Sequence, residues 1–239
     1  MKTYVSVLVS LLFLLTANLY AAAKRDSIEK LPFSNPQNKN RSGYYYIPSN
    51  VPSKGMPILV LFHGFKDNGY SLTNTFKPFA KQHGFAIVAP DAAGDQWRVP
   101  LKGKSTSDTA HVNAALSFIK SEVSKIDKKH VGAFGHSFGA RMSSTYGTNT
   151  SGVTKTAISH GRFLPSSLGG SPTAFWMSGS PKDNQFSFKV MQEQVKEYNA
   201  TYRKYWPGGG ARLHTYDCGD CRHFPHHQEL KEFTDWFLK

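Results

Sequence analysis

Three shortages bound this chain of 239 residues. Cysteine is nearly absent, with only Cys218 and Cys221. Acidic residues are few, 16 Asp and Glu against 29 Lys and Arg, which leaves a formal net charge of +13. Beyond the N-terminus no run is long and apolar enough to span a bilayer, which excludes stable membrane insertion through a later helix. Low-complexity blocks and internal repeats are also lacking. The basic surface favours anionic partners such as acidic polysaccharide. The lysines are scattered and form no nucleic-acid motif, so nucleic acid is not an expected partner. The length suits one α/β domain and not two.

The first residues read as a targeting segment. Met1-Lys2 supplies a positive start, Val5–Leu15 an apolar stretch, and Ala21-Ala22-Ala23 a small-residue cleavage site. We therefore expect residues 1–23 to be a signal peptide and the mature chain to be secreted, extracellular or periplasmic. Residues 24–42, polar and carrying Pro32 and Pro36, read as an extended surface leader. Residues 43–239 form the expected catalytic domain. Asn40, Asn149 and Asn199 each open a glycosylation sequon.

Strand and helix patterns alternate after the leader. Strands are expected at Gly43–Pro48, Pro57–Phe62, Phe85–Ala89, Val131–Phe134, Lys155–Ser159, Thr173–Met177 and Ala211–Tyr216. Helices are expected at Leu72–His83, from a Ser107/Asp108 cap to about Ile126, over Ala140–Tyr146, Asn184–Tyr205 and Gln228–Leu238. This alternation predicts an α/β fold: a mostly parallel sheet with helices on both faces. Functional groups then gather on loops at the carboxyl ends of strands.

Gly135-His136-Ser137-Phe138-Gly139 sits between strand and helix and reads as a nucleophile elbow. A serine hydroxyl is a weak nucleophile, so it needs a histidine base and a carboxylate to orient that base. The acid candidate is Asp183, in the turn Ser178–Asp183 after a strand; helix capping is its alternative role, and Asp217 and Asp220 compete. The base candidate is His223, after the last strand. His226 and His227 are rivals that fall at a helix start. The oxyanion donors are expected from the backbone of Phe138 and of Phe65, the latter in His63-Gly64-Phe65. His63 can brace that loop or touch substrate, and His136 shapes the elbow beside the substrate.

Cys218 and Cys221 suit a small disulfide loop in a secreted chain. A zinc site from these cysteines and the nearby histidines is the alternative, and would remove His223 from catalysis.

These motifs resemble secreted α/β-hydrolases of the polyhydroxybutyrate depolymerase and feruloyl esterase group, over roughly Arg41 to Lys239. The matching pieces are Ser42-Gly-Tyr-Tyr-Tyr-Ile-Pro, Leu61-Phe-His-Gly, Ile126-Asp-Lys-Lys-His-Val, Gly135-His-Ser-Phe-Gly-Ala-Arg-Met-Ser and Arg222-His-Phe-Pro. The resemblance implies Ser137 as nucleophile, Asp183 as acid and His223 as base, with Trp97 lining the substrate site; a buried core tryptophan is its other reading. Members often carry glycine before the catalytic histidine, where this chain has Cys221-Arg222, and a longer tryptophan-rich loop after the Pro90-Asp91 strand. No long insertion separates His160 from Thr173, so no lid domain is expected. The reading that results is a serine esterase for feruloyl or acetyl esters on polysaccharide, or for polyester, with no cofactor and no metal. A peptidase with the same triad and a non-catalytic binder of acidic polymer are the alternatives.

Overall fold

The computed structural model describes residues 25–171, 173–201, 211–219 and 222–239. Eight strands form one sheet: β1 (Ile28–Lys30), β2 (Gly43–Tyr46), β3 (Met56–Phe62), β4 (Ala86–Pro90), β5 (Ile126–His136), β6 (Lys155–Ser159), β7 (Ala174–Gly179) and β8 (Leu213–Thr215). Their spatial order is β1-β2-β4-β3-β5-β6-β7-β8. From β4 to β8 all neighbours run parallel, while β1 and β2 are antiparallel. The helices are α1 (Gly69–His83), α2 (Ser107–Glu122), α3 (Gly139–Asn149), α4 (Phe188–Thr201) and α5 (His227–Leu238). No described helix is long and apolar enough to cross a membrane.

Strand β3 is wholly buried, as its unbroken apolar run predicts for a central parallel strand. Its side chains alternate between two cores. Ile58, Val60 and Phe62 pack with Val112, Ala115 and Ile119 of α2 and with Met142 and Tyr146 of α3. Leu59 and Leu61 pack on the other face with Phe76 of α1 and Phe233 and Phe237 of α5. The expected sheet with helices on both faces is what forms.

One local expectation is sharpened and one needs correction. The expected extended leader contains an edge strand. Ile28–Lys30 pairs with Tyr44–Tyr46, Leu31 is buried, and buried Asn35 donates to Asp108 Oδ1 at 2.9 Å. The α2 cap is Thr106, not Ser107 or Asp108: Thr106 and Thr109 form a reciprocal capping box. Asp108 is buried instead, accepting from the N–H groups of Ala93 and Arg98.

Candidate active site

The parallel register brings the ends of β3, β5, β6 and β7 to one edge. Phe62 pairs with Gly135, His136 with Ser159, and Ser159 with Ser178. Ser137 follows β5 directly, at φ 56°. That left-handed conformation is costly for a residue with a Cβ and marks a tight turn. The turn closes because its glycines leave room: a Cβ on Gly139 would strike the carbonyl oxygens of Phe62 and His63, and one on Gly135 would strike Gly139.

The structure brings Ser137, His223 and Asp183 into one line. His223 Nε2 lies 2.8 Å from Ser137 Oγ, and His223 Nδ1 lies 3.0 and 3.1 Å from the two Asp183 oxygens. His223 is 4% exposed, and the Asp183 side chain is fully enclosed. Asp183 also caps the turn after β7, accepting from Gln185 and Phe186 N–H; the capping role and the pairing with His223 coexist. Burial pushes the Asp183 carboxyl up. Hydrogen bonds from His160, His223 and those two amides outweigh burial and hold it far below the ordinary carboxylate range.

The two residues expected to supply oxyanion donors, Phe65 and Phe138, both line the serine's pocket. This cavity of about 340 Å³ is lined by Gly64, Phe65, Lys66, Asp67, His136, Ser137, Phe138, Gln185, His223 and Phe224. The N–H groups of Phe65 and Phe138 have no acceptor among the described hydrogen bonds. Their rings pack together at 5.4 Å.

Two further histidines act as braces. His136 Nε2 donates to the His223 carbonyl at 2.8 Å, tying the elbow to the base's loop. Burial lowers its pKa to about 4, so it is neutral. His63 is fully buried and does not line the pocket. It accepts from Ala92 N–H through Nε2 and donates from Nδ1 to Gly64 O. Trp97 likewise does not line the pocket: it is buried, donates to His63 O at 2.9 Å, and packs on Phe62. Both residues support the Gly64–Phe65 loop from behind. His226 caps α5, and Asp217 pairs with Lys182 at the surface.

Sequence reasoning missed a second polar layer. His160, at φ 48° after β6, puts Nδ1 2.9 Å from Asp183 Oδ2 and Nε2 3.2 Å from Glu229 Oε2. Glu229, on α5, also accepts from Ser159 Oγ at 2.5 Å and Ser178 Oγ at 2.6 Å. Burial alone would discharge His160, but its two carboxylate partners raise its pKa to about 9. Asp183 thus rests between two imidazoles, one of them cationic at neutral pH. His160, Asp183 and His223 are also the metal-ligand types that cluster among the described residues, but their polar atoms already satisfy one another. Asp220 and Cys221 lie outside the described residues, and with them the cysteine pairing and its zinc alternative.

A family model described as "alpha/beta hydrolase fold" matches residues 57–166. No curated protein matches the sequence. Among solved structures, acetyl xylan esterase from Aspergillus awamori is similar with a TM-score of 0.64 at 15% identity, over 89% of this chain and 99% of that one. A fluorophosphonate-binding serine hydrolase F (FphF) of Staphylococcus aureus gives 0.61 at 12% identity, over 89% and 98%. The esterase PE8 gives 0.58 at 16% identity, over 81% and 98%. At these identities the likeness is one of fold.

Proposed function

We propose that this protein, which has the α/β-hydrolase fold, is a serine hydrolase of carboxylic esters. The observation that carries the proposal is the line Ser137–His223–Asp183, on a serine held at positive φ beside two open N–H donors. In the reaction, Ser137 Oγ attacks the ester carbonyl as His223 Nε2 takes its proton. Asp183 holds Nδ1–H and stabilises the imidazolium that forms. The N–H groups of Phe138 and Phe65 receive the developing oxyanion. His223 then protonates the leaving alcohol, and the acyl-serine is hydrolysed by water activated through the same imidazole.

The finer reading is a secreted enzyme of the polyhydroxybutyrate depolymerase and feruloyl esterase group, acting on feruloyl or acetyl esters of polysaccharide or on polyester. Its supports are the sequence motifs, the N-terminal targeting pattern of residues 1–23, and the exposed Phe65 and Phe224 beside Ser137. Residues 1–24 lie outside the described residues. A Cys218–Cys221 disulfide is part of the same proposal.

The test is a panel of p-nitrophenyl acetate, methyl ferulate, acetylated xylan, polyhydroxybutyrate and matched anilides, with Ser137→Ala and His223→Ala. Ester turnover lost in both variants supports the reading. Amide turnover exceeding ester turnover would point to a peptidase, and silence on every substrate would remove the enzyme reading.

A further inference from the structure

Three cations stand on aromatic rings around the pocket. Lys66 Nζ is 5.3 Å from the Phe65 ring centroid, the Arg141 guanidinium 5.3 Å from that of Phe138, and Arg162 6.0 Å from that of Phe186. Phe65 and Phe138 line the pocket, and Phe186 follows the lining residue Gln185. Both arginines are fixed close to the nucleophile by the chain itself. Arg141 lies one helical turn after Ser137. Arg162 follows Gly161, whose missing Cβ lets the backbone approach the Ser137 carbonyl oxygen; an added Cβ would sit 2.5 Å from it.

The arginines lack counter-charges. Among the described residues no carboxylate lies within ion-pair distance of Arg141 or Arg162. Asp183 is already shared between two histidines. Arg141 is half-buried, and its pKa is lowered by burial and then by the charge of Arg162. Two cations that repel each other without a carboxylate are relieved by a bound anion, and the guanidinium fork matches a carboxylate. Lys66 differs: it is followed by Asp67, an acidic residue that lines the same cavity. Neither arginine lines the cavity itself, so an anion held by them would lie outside it.

Resting on the ester-hydrolase reading, we propose that the alcohol portion of the substrate carries a carboxylate, as in an acylated uronic-acid unit of an acidic polysaccharide, and that Arg141 and Arg162 hold it. The net charge of +13 would gather such a polymer, and the arginine pair would orient it.

The experiment compares kcat/KM for the acetate esters of methyl glucuronoside and methyl glucoside, which differ in the carboxylate. Wild type should favour the anionic ester by about 10-fold at low salt, the order of one charge-assisted contact, mainly through KM. The double variant Arg141→Gln/Arg162→Gln should bring the ratio close to one, and Arg162→Glu should invert it. Lys81→Gln, an exposed charge on α1, should keep the wild-type ratio. The ratio is internal to each protein, so partial misfolding does not mimic the result. A wild-type ratio near one, or a preference that survives the double variant, would overturn the arginine subsite while ester hydrolysis stands. Hydrolysis of neither ester by a protein that also fails to label at Ser137 with a fluorophosphonate overturns the esterase reading, and this proposal with it.

Discussion

Replacing His160 with glutamine removes the buried cation beneath the triad while keeping a polar side chain near Asp183. The magnitude follows from proton linkage. An ordinary histidine titrates near 6.5, and His160 in the fold titrates at about 9. That gap corresponds to about 3 kcal/mol of folding free energy. The sign follows from which state holds the proton. The folded state binds it more tightly, so the stabilisation is complete below about pH 6.5 and is lost as pH rises through about 9. The charges facing His160 are Asp183 after β7, Glu229 on α5, and the neighbouring His136 and His223 rings. The lowered pKa values of His63, His111, His136 and His214 cost stability as pH falls through about 6.5, and the raised values of Tyr46, Tyr146, Tyr198 and Tyr216 cost it as pH rises through about 10. Urea unfolding at intervals from about pH 7.5 to 9, above the titration of those histidines and below that of the tyrosines, should therefore show wild type losing about 1.5 kcal/mol of the 3 across the window. His160→Gln should start lower and stay nearly flat. Equal slopes in the two proteins would refute the buried imidazolium.

Asp183→Asn should cut kcat by roughly 10³- to 10⁴-fold with little change in KM, because the amide no longer selects the Nδ1–H tautomer of His223; p-nitrophenyl acetate kinetics would read this, and a loss under tenfold would contradict the role. Gly139→Ala places a methyl against two backbone carbonyl oxygens that cannot move freely, so thermal melting should fall by well over 5 °C, about 2 kcal/mol or more, and an unchanged Tm would be inconsistent with the elbow's packing. Reducing the proposed Cys218–Cys221 bond, with thiol release confirmed, should lower kcat by loosening the His223 loop; full turnover in the reduced protein would remove that link.

The chain order of Ser137, Asp183 and His223 was legible because each follows a strand at the carboxyl edge of a parallel sheet, where one-dimensional pattern and three-dimensional position coincide. The elbow was legible for a steric reason, since its flanking glycines answer a clash that the turn creates. His160 and Glu229 carried no such signal: they meet only because β6, β7 and α5 converge, and no spacing links 160, 183 and 229. Trp97 could be read either as a core residue or as a substrate contact, because an aromatic serves both. In the structure it is buried, with its indole N–H reaching His63 O. Strand β1 was missed because Ile28-Glu29-Lys30 is short and polar and gains its order only by pairing with β2. Strand β5 begins earlier than its apolar run, at Ile126, because its first stretch toward solvent, at Lys128 and Lys129, is exposed and carries no apolar signal.

The most direct test of an activated serine is mass mapping after brief exposure to a fluorophosphonate. The account predicts one adduct, on Ser137, absent in Ser137→Ala and slowed by roughly 10³-fold or more in His223→Ala. No adduct on folded wild-type protein, or one on a different residue, would contradict it.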